Sequence, residues 1–140
     1  MSIKRLRHAS RAQRGLALIE TALVLPFFLM LIFAGINYGI ALYNQAVLTN
    51  ASREAAREGI TFRVPAPSYQ DITSKALAYC QNHLVTFGTP VQPQVQIEEP
   101  GGRLPGAPLR VTVRYDYKGV SFIAGMSPGL LAATATMTYE

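Results

Sequence analysis

The sequence is poor in the residues from which catalytic and metal sites are built. It has no tryptophan, one cysteine and two histidines among 140 residues. A single cysteine, Cys80, excludes an internal disulfide framework and a CxxC-type zinc site. No segment combines a nucleophile with a base or clusters metal ligands. We therefore expect no enzyme activity, no metal and no cofactor.

Charged residues are also scarce, at 15%, and they are unevenly distributed. The first fifteen residues contain no acid but hold five of the 13 Lys and Arg residues, namely Lys4, Arg5, Arg7, Arg11 and Arg14. The remaining basic residues balance the acidic ones, so the net charge of +5 belongs to this short basic leader. A nucleic-acid-binding domain would spread Lys and Arg over a folded face, so we expect no nucleic-acid partner.

A long apolar segment follows the leader. Residues 16–43 are long enough, as an α-helix, to cross a hydrocarbon core of roughly 30 Å. The segment is apolar on all sides, which is typical of a membrane span rather than of a soluble helix. The positive-inside rule places the leader in the cytoplasm and the rest of the chain outside. Tyr38 and Tyr43 fit an aromatic belt at the outer interface.

The same helix is predicted to continue into water. Residues 44–59 are rich in alanine, with small or apolar residues at helical spacing. Gly59 is a suitable C′ residue at which the helix stops, and Pro65 and Pro67 follow it. We therefore expect a long N-terminal helix over residues 16–60.

Residues 61–140 have the pattern of a small α+β domain outside the membrane. Ser68 is a suitable N-cap for a helix that runs to about Phe87. Three segments with alternating apolar and polar residues follow, around 91–97, 109–118 and 131–140, and Pro93 indicates that the first strand lies at an edge. The expected fold is one helix on a three-stranded antiparallel sheet. A domain of this size needs support from the long helix or from a partner.

The junction between leader and span carries the most informative pattern. Gly15 ends the leader, and the apolar helix that follows has one carboxylate, Glu20, and no Lys, Arg or His. An acid in a membrane helix costs about 2.5–3.5 kcal/mol at the helix centre, less near the edge, and normally has a partner. Cleavage after Gly15 would supply one, because it leaves an α-amine on Leu16. That amine would lie four residues from Glu20, or opposite the Glu20 of an adjacent chain.

These residues resemble the processing site of type IV prepilins and pseudopilins. The continuation RGLALIETALVLPFFLMLIFAGINYG, followed by ASREAAREG, resembles the TadE-like minor pilins of tight-adherence (Tad/Flp) pilus systems. Pro26, six residues after Glu20, belongs to the match, which covers residues 1–60; the rest of the chain matches only in layout. Thr21 stands where the major Flp pilins carry Tyr, which favours a minor subunit, as does the length of the chain.

The resemblance implies a pilin-like fold and a place in a pilus. It implies cleavage between Gly15 and Leu16 by an aspartic-type prepilin peptidase in the inner (cytoplasmic) membrane, and pairing of Glu20 with a neighbouring subunit's amino terminus. The implied partners are other pilin and minor pilin subunits, the peptidase and the inner-membrane assembly platform, with later residence on the pilus or cell surface and a role in adhesion. The alternative is an uncleaved single-pass anchor that presents an extracytoplasmic binding domain.

Several features in and beyond the span have an ordinary interpretation beside the functional one. Pro26 is either a hinge used during assembly or an ordinary membrane-helix proline. Gly35 and Gly39 form a GxxxG pattern, which indicates helix packing without specifying a dimer. Cys80 and His83 lie one turn apart, but Cys80 falls on the apolar stripe of its helix and is expected to be buried.

One apolar segment falls where a loop is expected. Residues 120–126 (VSFIAGM) lie between the second and third predicted strands. We expect this segment to fold over the sheet; exposed, it would be a docking patch for another subunit.

Overall fold

The computed structural model describes residues 4–87, 91–119 and 129–140, with side chains from residue 17 onward. These residues form helices α1 (Lys4–Ile60) and α2 (Tyr69–His83) and strands β1 (Gln94–Glu98), β2 (Pro108–Tyr117) and β3 (Gly129–Thr138). The predicted α+β class, with a long apolar helix, a second helix and a three-stranded antiparallel sheet, is confirmed. The apolar segment 120–126 lies outside the described residues, so its burial stays a prediction.

The chain divides into two compact units, Met1–Ile36 and Asn37–Glu140. Helix α1 supplies the described part of the first unit, and its side chains from residue 17 to 36 are exposed or half-exposed. Residues Ala17–Ile60 contain a window with a mean hydropathy of 2.3 that is long and apolar enough to cross a membrane. An exposed surface this apolar indicates membrane anchoring.

Helix α1 begins earlier than predicted and ends at the predicted residue. It begins at Lys4 rather than at residue 16, so the described part of the leader is helical and Gly15 lies inside the helix. Lys, Arg and Ala, which dominate the leader, are good helix formers. At the other end the helix stops at Ile60, and Thr61 satisfies the Arg57 carbonyl through its hydroxyl at 2.9 Å.

Gly59 is therefore not the left-handed C′ residue that the sequence suggested. It lies inside α1, and the glycines with positive φ in the described residues are Gly102, Gly106 and Gly129. A Cβ at Gly59 would overlap the side chains of Leu109 and Ile72. Glycine is needed here because the helix approaches its neighbours closely, not because the backbone turns.

The sheet has the order β1-β2-β3, with both pairs antiparallel and β2 in the centre. The predicted period of two is confirmed, because alternate side chains of β2 are buried and the others are largely exposed. The buried face of β2 consists of Leu109, Val111, Val113, Tyr115 and Tyr117. The opposite face carries the Arg, Thr and Gln side chains of the three strands.

The second half of α1 packs with α2 and the buried face of the sheet to form one core. Helix α1 contributes one large side chain, Leu48, and four alanines that let its backbone come close to its neighbours: Ala41, Ala51, Ala55 and Ala56. Helix α2 contributes Ile72, Ala76 and the buried Cys80. The predicted support of the small domain by the long helix is confirmed.

Helix α2 begins as predicted and ends earlier than predicted. Ser68 is its N-cap, and a complete capping box joins Ser68 and Asp71 in both directions. The helix stops at His83 rather than near Phe87, because Leu84 is extended and the backbone of Val85 bonds to a side chain of α1.

Candidate functional site

Glu20 is a lone carboxylate on an exposed, otherwise apolar stretch of α1. It shares a shallow surface depression with Thr21, Val24, Leu25 and Phe28. Among the side chains that the structure describes, Glu20 forms no ion pair, while the Thr21 hydroxyl bonds back to the Ala17 carbonyl at 2.8 Å. The predicted carboxylate is thus displayed on the helix surface.

The predicted cleavage bond lies one helical turn before this acid. Gly15 and Leu16 both belong to α1, and four helical residues advance the chain by about 6 Å, so Leu16 and Glu20 occupy adjacent turns. The Gly15–Leu16 peptide bond is therefore part of the regular helical backbone. A peptidase needs an extended bond, so cleavage requires this turn to unwind, which the sequence did not predict.

Pro26, Gly35 and Gly39 follow on the same helix. Pro26 is accommodated inside α1 without ending it. A Cβ at Gly35 or at Gly39 would meet nothing within 4 Å, so both glycines open onto free surface in the described structure. A shallow, open strip of this kind permits the backbone of another helix to come close.

Two buried asparagines of α1, which the sequence analysis missed, attach the helix to the folded domain. The Asn44 side chain donates to the Val85 carbonyl at 2.8 Å and accepts from the Val85 N–H at 3.0 Å. The Tyr117 hydroxyl donates to the Asn37 side-chain oxygen at 2.9 Å. Both asparagines are buried, at 0% and 6% exposure. The sequence signal was an amide side chain among apolar residues, but this pattern does not identify the hydrogen-bond partners Val85 and Tyr117.

A polar cluster forms at the opposite end of the domain, around Glu99. Tyr69 and Tyr139 donate their hydroxyls to the Glu99 carboxylate at 2.8 and 2.7 Å, and Arg103 Nε lies 3.3 Å from it. Burial, reinforced by the bond to Glu99, raises the pKa of Tyr139 to about 12. An adjoining cavity of about 500 Å³ is lined by residues that include Phe62 and Arg63. All the charged members of the cluster have partners, which indicates a structural role.

Cys80 and His83 belong to no larger group of metal-ligating side chains among the described residues. In the described part of the chain, no group of three or more His, Cys, Asp and Glu is arranged to hold a metal ion. Burial raises the pKa of the Cys80 thiol to about 11, and His83 Nδ1 lies 2.9 Å from the Tyr79 carbonyl. The predicted burial of Cys80 is confirmed.

An exposed apolar helix joined to a folded α+β domain defines a membrane-anchored protein. Residues 15–57 match the family model described as TadE-like protein. The predicted resemblance is therefore confirmed over this segment, which contains Gly15, Glu20 and most of α1. The match indicates involvement in a Tad pilus system and association with its components. Neither a curated protein nor a solved structure matches the chain.

Proposed function

We propose that the protein is a minor pilin of a Tad/Flp-type pilus system, with a structural rather than a catalytic role. It enters the cytoplasmic membrane with its basic leader inside and its α+β domain outside. The prepilin peptidase removes residues 1–15, and the remaining helix packs with the helices of other pilin subunits on the assembly platform. The observation that carries the proposal is Glu20, a single acid exposed on an apolar helix surface one turn from Leu16.

The mechanism follows from the cost of that acid in lipid. Processing creates a cationic amine on Leu16, and pairing this amine with Glu20 of a neighbouring subunit removes an uncompensated charge from an apolar environment. Because the rest of this helix surface is apolar and can slide, the ion pair sets the register between two helices. The open strip at Gly35 and Gly39 then allows close packing further along.

Processing is tested by the intact mass and the amino-terminal sequence of the protein purified from membranes of its host, with and without the prepilin peptidase. We expect a chain that begins at Leu16 only where the peptidase is present. Gly15→Val should retain the leader, whereas the control Gly35→Val should be processed normally. A native chain that keeps residues 1–15 would contradict the proposal.

Assembly is tested separately at Glu20. Glu20→Gln keeps the size of the side chain and removes its charge, so the variant should insert and be cleaved but should be lost from sheared pili. Thr21→Val, on the adjacent position, is the matched control and should be incorporated. Normal incorporation of Glu20→Gln would show that the charge does not set the register.

A second candidate function, the uncleaved anchor, is favoured by one observation. Gly15 lies inside a continuous helix, and a helical bond is a poor protease substrate. This candidate predicts a full-length chain in the membrane even when the peptidase is present, so the mass measurement separates the two.

A further inference from the structure

The two edges of the sheet are protected to different degrees. Strand β1 has five residues, follows directly after Pro93 and ends in Glu98, and helix α2 lies against it. Strand β3 has ten residues, contains no charged residue and no proline, and pairs with β2 without a bulge. Short length, proline, charge and bulges are the usual means by which proteins prevent an edge strand from pairing with another chain. The edge at β3 has none of them.

Hydrogen bonds show which residues of β3 point away from β2. In an antiparallel pair, successive residues direct their backbone groups alternately to the two sides of the strand. Tyr139, just after β3, donates its N–H to the Ala107 carbonyl at 3.0 Å and accepts from the Gly106 N–H at 2.7 Å. The odd-numbered residues of β3 therefore bond to β2, and the even-numbered ones face outward. The Ala132 carbonyl agrees with this alternation, because it accepts a bond from the Gln45 side chain, outside the sheet, at 2.7 Å.

The outward positions beyond Ala132 are open. Within the described part of the chain, the N–H and carbonyl groups of Thr134, Thr136 and Thr138 form no hydrogen bond on this side. Their side chains are exposed as well. The hydroxyls of Thr134 and Thr112 lie 2.9 Å apart and share a hydrogen bond, so threonine pairs already join neighbouring strands on this face. The edge thus offers backbone donors, backbone acceptors and threonine side chains to one further strand.

An arginine beside the edge indicates the chemistry of that strand. Arg114 is paired with Ala132 in the register, is exposed, and forms no ion pair among the described side chains. Because alanine is small, the long Arg114 side chain can extend over it toward a strand added outside. The next arginine on the same face, Arg110, is already engaged by Glu98 at 3.4 Å. A carboxylate on the added strand, at the level of Ala132, would give Arg114 a partner of opposite charge.

We propose that the outer edge of β3 binds an extended, acid-bearing segment of a different protein, which becomes a fourth strand of the sheet. Main-chain hydrogen bonds to the three threonines supply affinity, and the carboxylate near Arg114 sets the register. A second copy of this chain fits less well, because its own β3 contains no acid to pair with Arg114. Acyl chains of lipid cannot satisfy backbone N–H and carbonyl groups. The proposal concerns the folded domain and requires neither leader cleavage nor the Glu20 ion pair.

Amide hydrogen exchange tests whether the edge is open in the protein alone. In the full-length chain, purified in mild detergent, the N–H groups of Ala133, Ala135 and Met137 bond to β2 and should exchange slowly. The N–H groups of the three intervening and following threonines face outward and should exchange fast. Equal protection of both sets would overturn the proposal, because the edge would then be covered by the chain itself or by a second copy.

Crosslinking in membranes of the host tests for the added strand. Cys80 is buried, so a cysteine introduced on the sheet surface is the one that reacts with benzophenone maleimide. Thr134→Cys places this photoprobe beside the edge; Gln96→Cys, on the same exposed face but on β1, is the matched control. We expect Thr134→Cys to crosslink to another protein and Gln96→Cys not to do so. Equal crosslinking from both positions, an adduct of two copies of this chain, or no adduct would each overturn the proposal.

Substitutions in the Thr134→Cys background test the two kinds of contact. Thr136→Pro removes an outward N–H and keeps the bonds to β2, so it should reduce the adduct about tenfold. Arg114→Gln should reduce it several-fold, whereas the control Arg110→Gln should not, because Glu98 already engages Arg110. An unchanged adduct with Thr136→Pro or with Arg114→Gln would overturn the proposal. If circular dichroism shows that Thr136→Pro does not fold, Arg114→Gln and the exchange pattern decide.

Discussion

Asn44 shows how much of this fold depends on single polar side chains. It is fully buried in a stretch of α1 that otherwise contributes apolar and small residues to the core. Its amide replaces the helical hydrogen bonds that α2 would have made at Val85, so the same contact ends one helix and attaches it to another. Buried polar groups of this kind are costly when one partner is removed.

Asn44→Ala should therefore destabilise the domain by about 1–3 kcal/mol, because it removes both hydrogen bonds that join α1 to the backbone of Val85. Gln45→Ala is the matched control; it removes one exposed hydrogen bond to Ala132 and should cost less than about 1 kcal/mol. Urea unfolding in mild detergent, followed by circular dichroism, measures both. Equal losses of unfolding free energy in the two variants would show that the Asn44 side chain contributes no more than an exposed hydrogen bond does.

Cys80 provides a second test at the residue scale. Its thiol is buried and its pKa is raised to about 11, so at pH 8 it should react with a thiol reagent only after unfolding. The sign of the pH effect follows from the raised pKa: the folded state keeps the proton that the unfolded state releases. Stability should therefore fall as the pH rises from the ordinary thiol pKa toward 11. Cys80→Ala should weaken this alkaline loss, and rapid labelling of the native protein would contradict the assignment.

At the scale of elements, the helix boundaries show which features can be predicted from residues that are close together in the sequence. The start of α2 was predictable, because Ser68 and Asp71 form the capping box within four consecutive residues. Its end was not, because it depends on Asn44, which is 41 residues away along the chain. Gly59 was recognised as important, but its role comes from contact with Leu109 and Ile72, which only the fold brings together.

Ser68→Ala should destabilise the domain by about 1 kcal/mol, since it removes the side chain that caps α2. Ser74→Ala is the control, because this serine lies inside the same helix and bonds only to the Asp71 carbonyl. It should be neutral or slightly stabilising, since alanine has the higher helix propensity. Thermal unfolding of the two variants distinguishes capping from a general effect of losing a hydroxyl.

The same cap predicts an acid dependence. The Ser68 N–H and hydroxyl hold the pKa of Asp71 below its ordinary value. A depressed carboxyl pKa stabilises the fold above the unfolded pKa, and this contribution is lost as the pH falls through the folded value. Asp71→Asn should therefore flatten the acid side of the stability profile, and an unchanged profile would argue against the cap as its source.

At the scale of the whole molecule, the core belongs to one of the two compact units. The buried residues of the described structure lie at position 37 or later, although α1 begins at Lys4. The apolar side chains of α1 before Asn37 therefore take no part in the core and face the environment of the protein.

A chain that begins at Asn37 should consequently fold on its own and unfold cooperatively, because it retains the whole core. It should also be released from membranes, because it lacks most of the apolar span. Flotation with vesicles and urea unfolding measure the two properties. Loss of cooperative unfolding would show that the first unit supports the fold.

The sequence by itself determined the apolar helix, the lone acid five residues after Gly15, the start of α2 and the alternation of β2 and β3. Each of these depends on neighbours within a few residues, so the periodicity and spacing of side chains are sufficient. The tertiary structure alone decided the bonds of Asn37 with Tyr117 and of Asn44 with Val85, and the packing role of Gly59. These depend on residues 41 and 80 positions apart that meet only when the sheet packs against α1, and no local pattern encodes such a meeting.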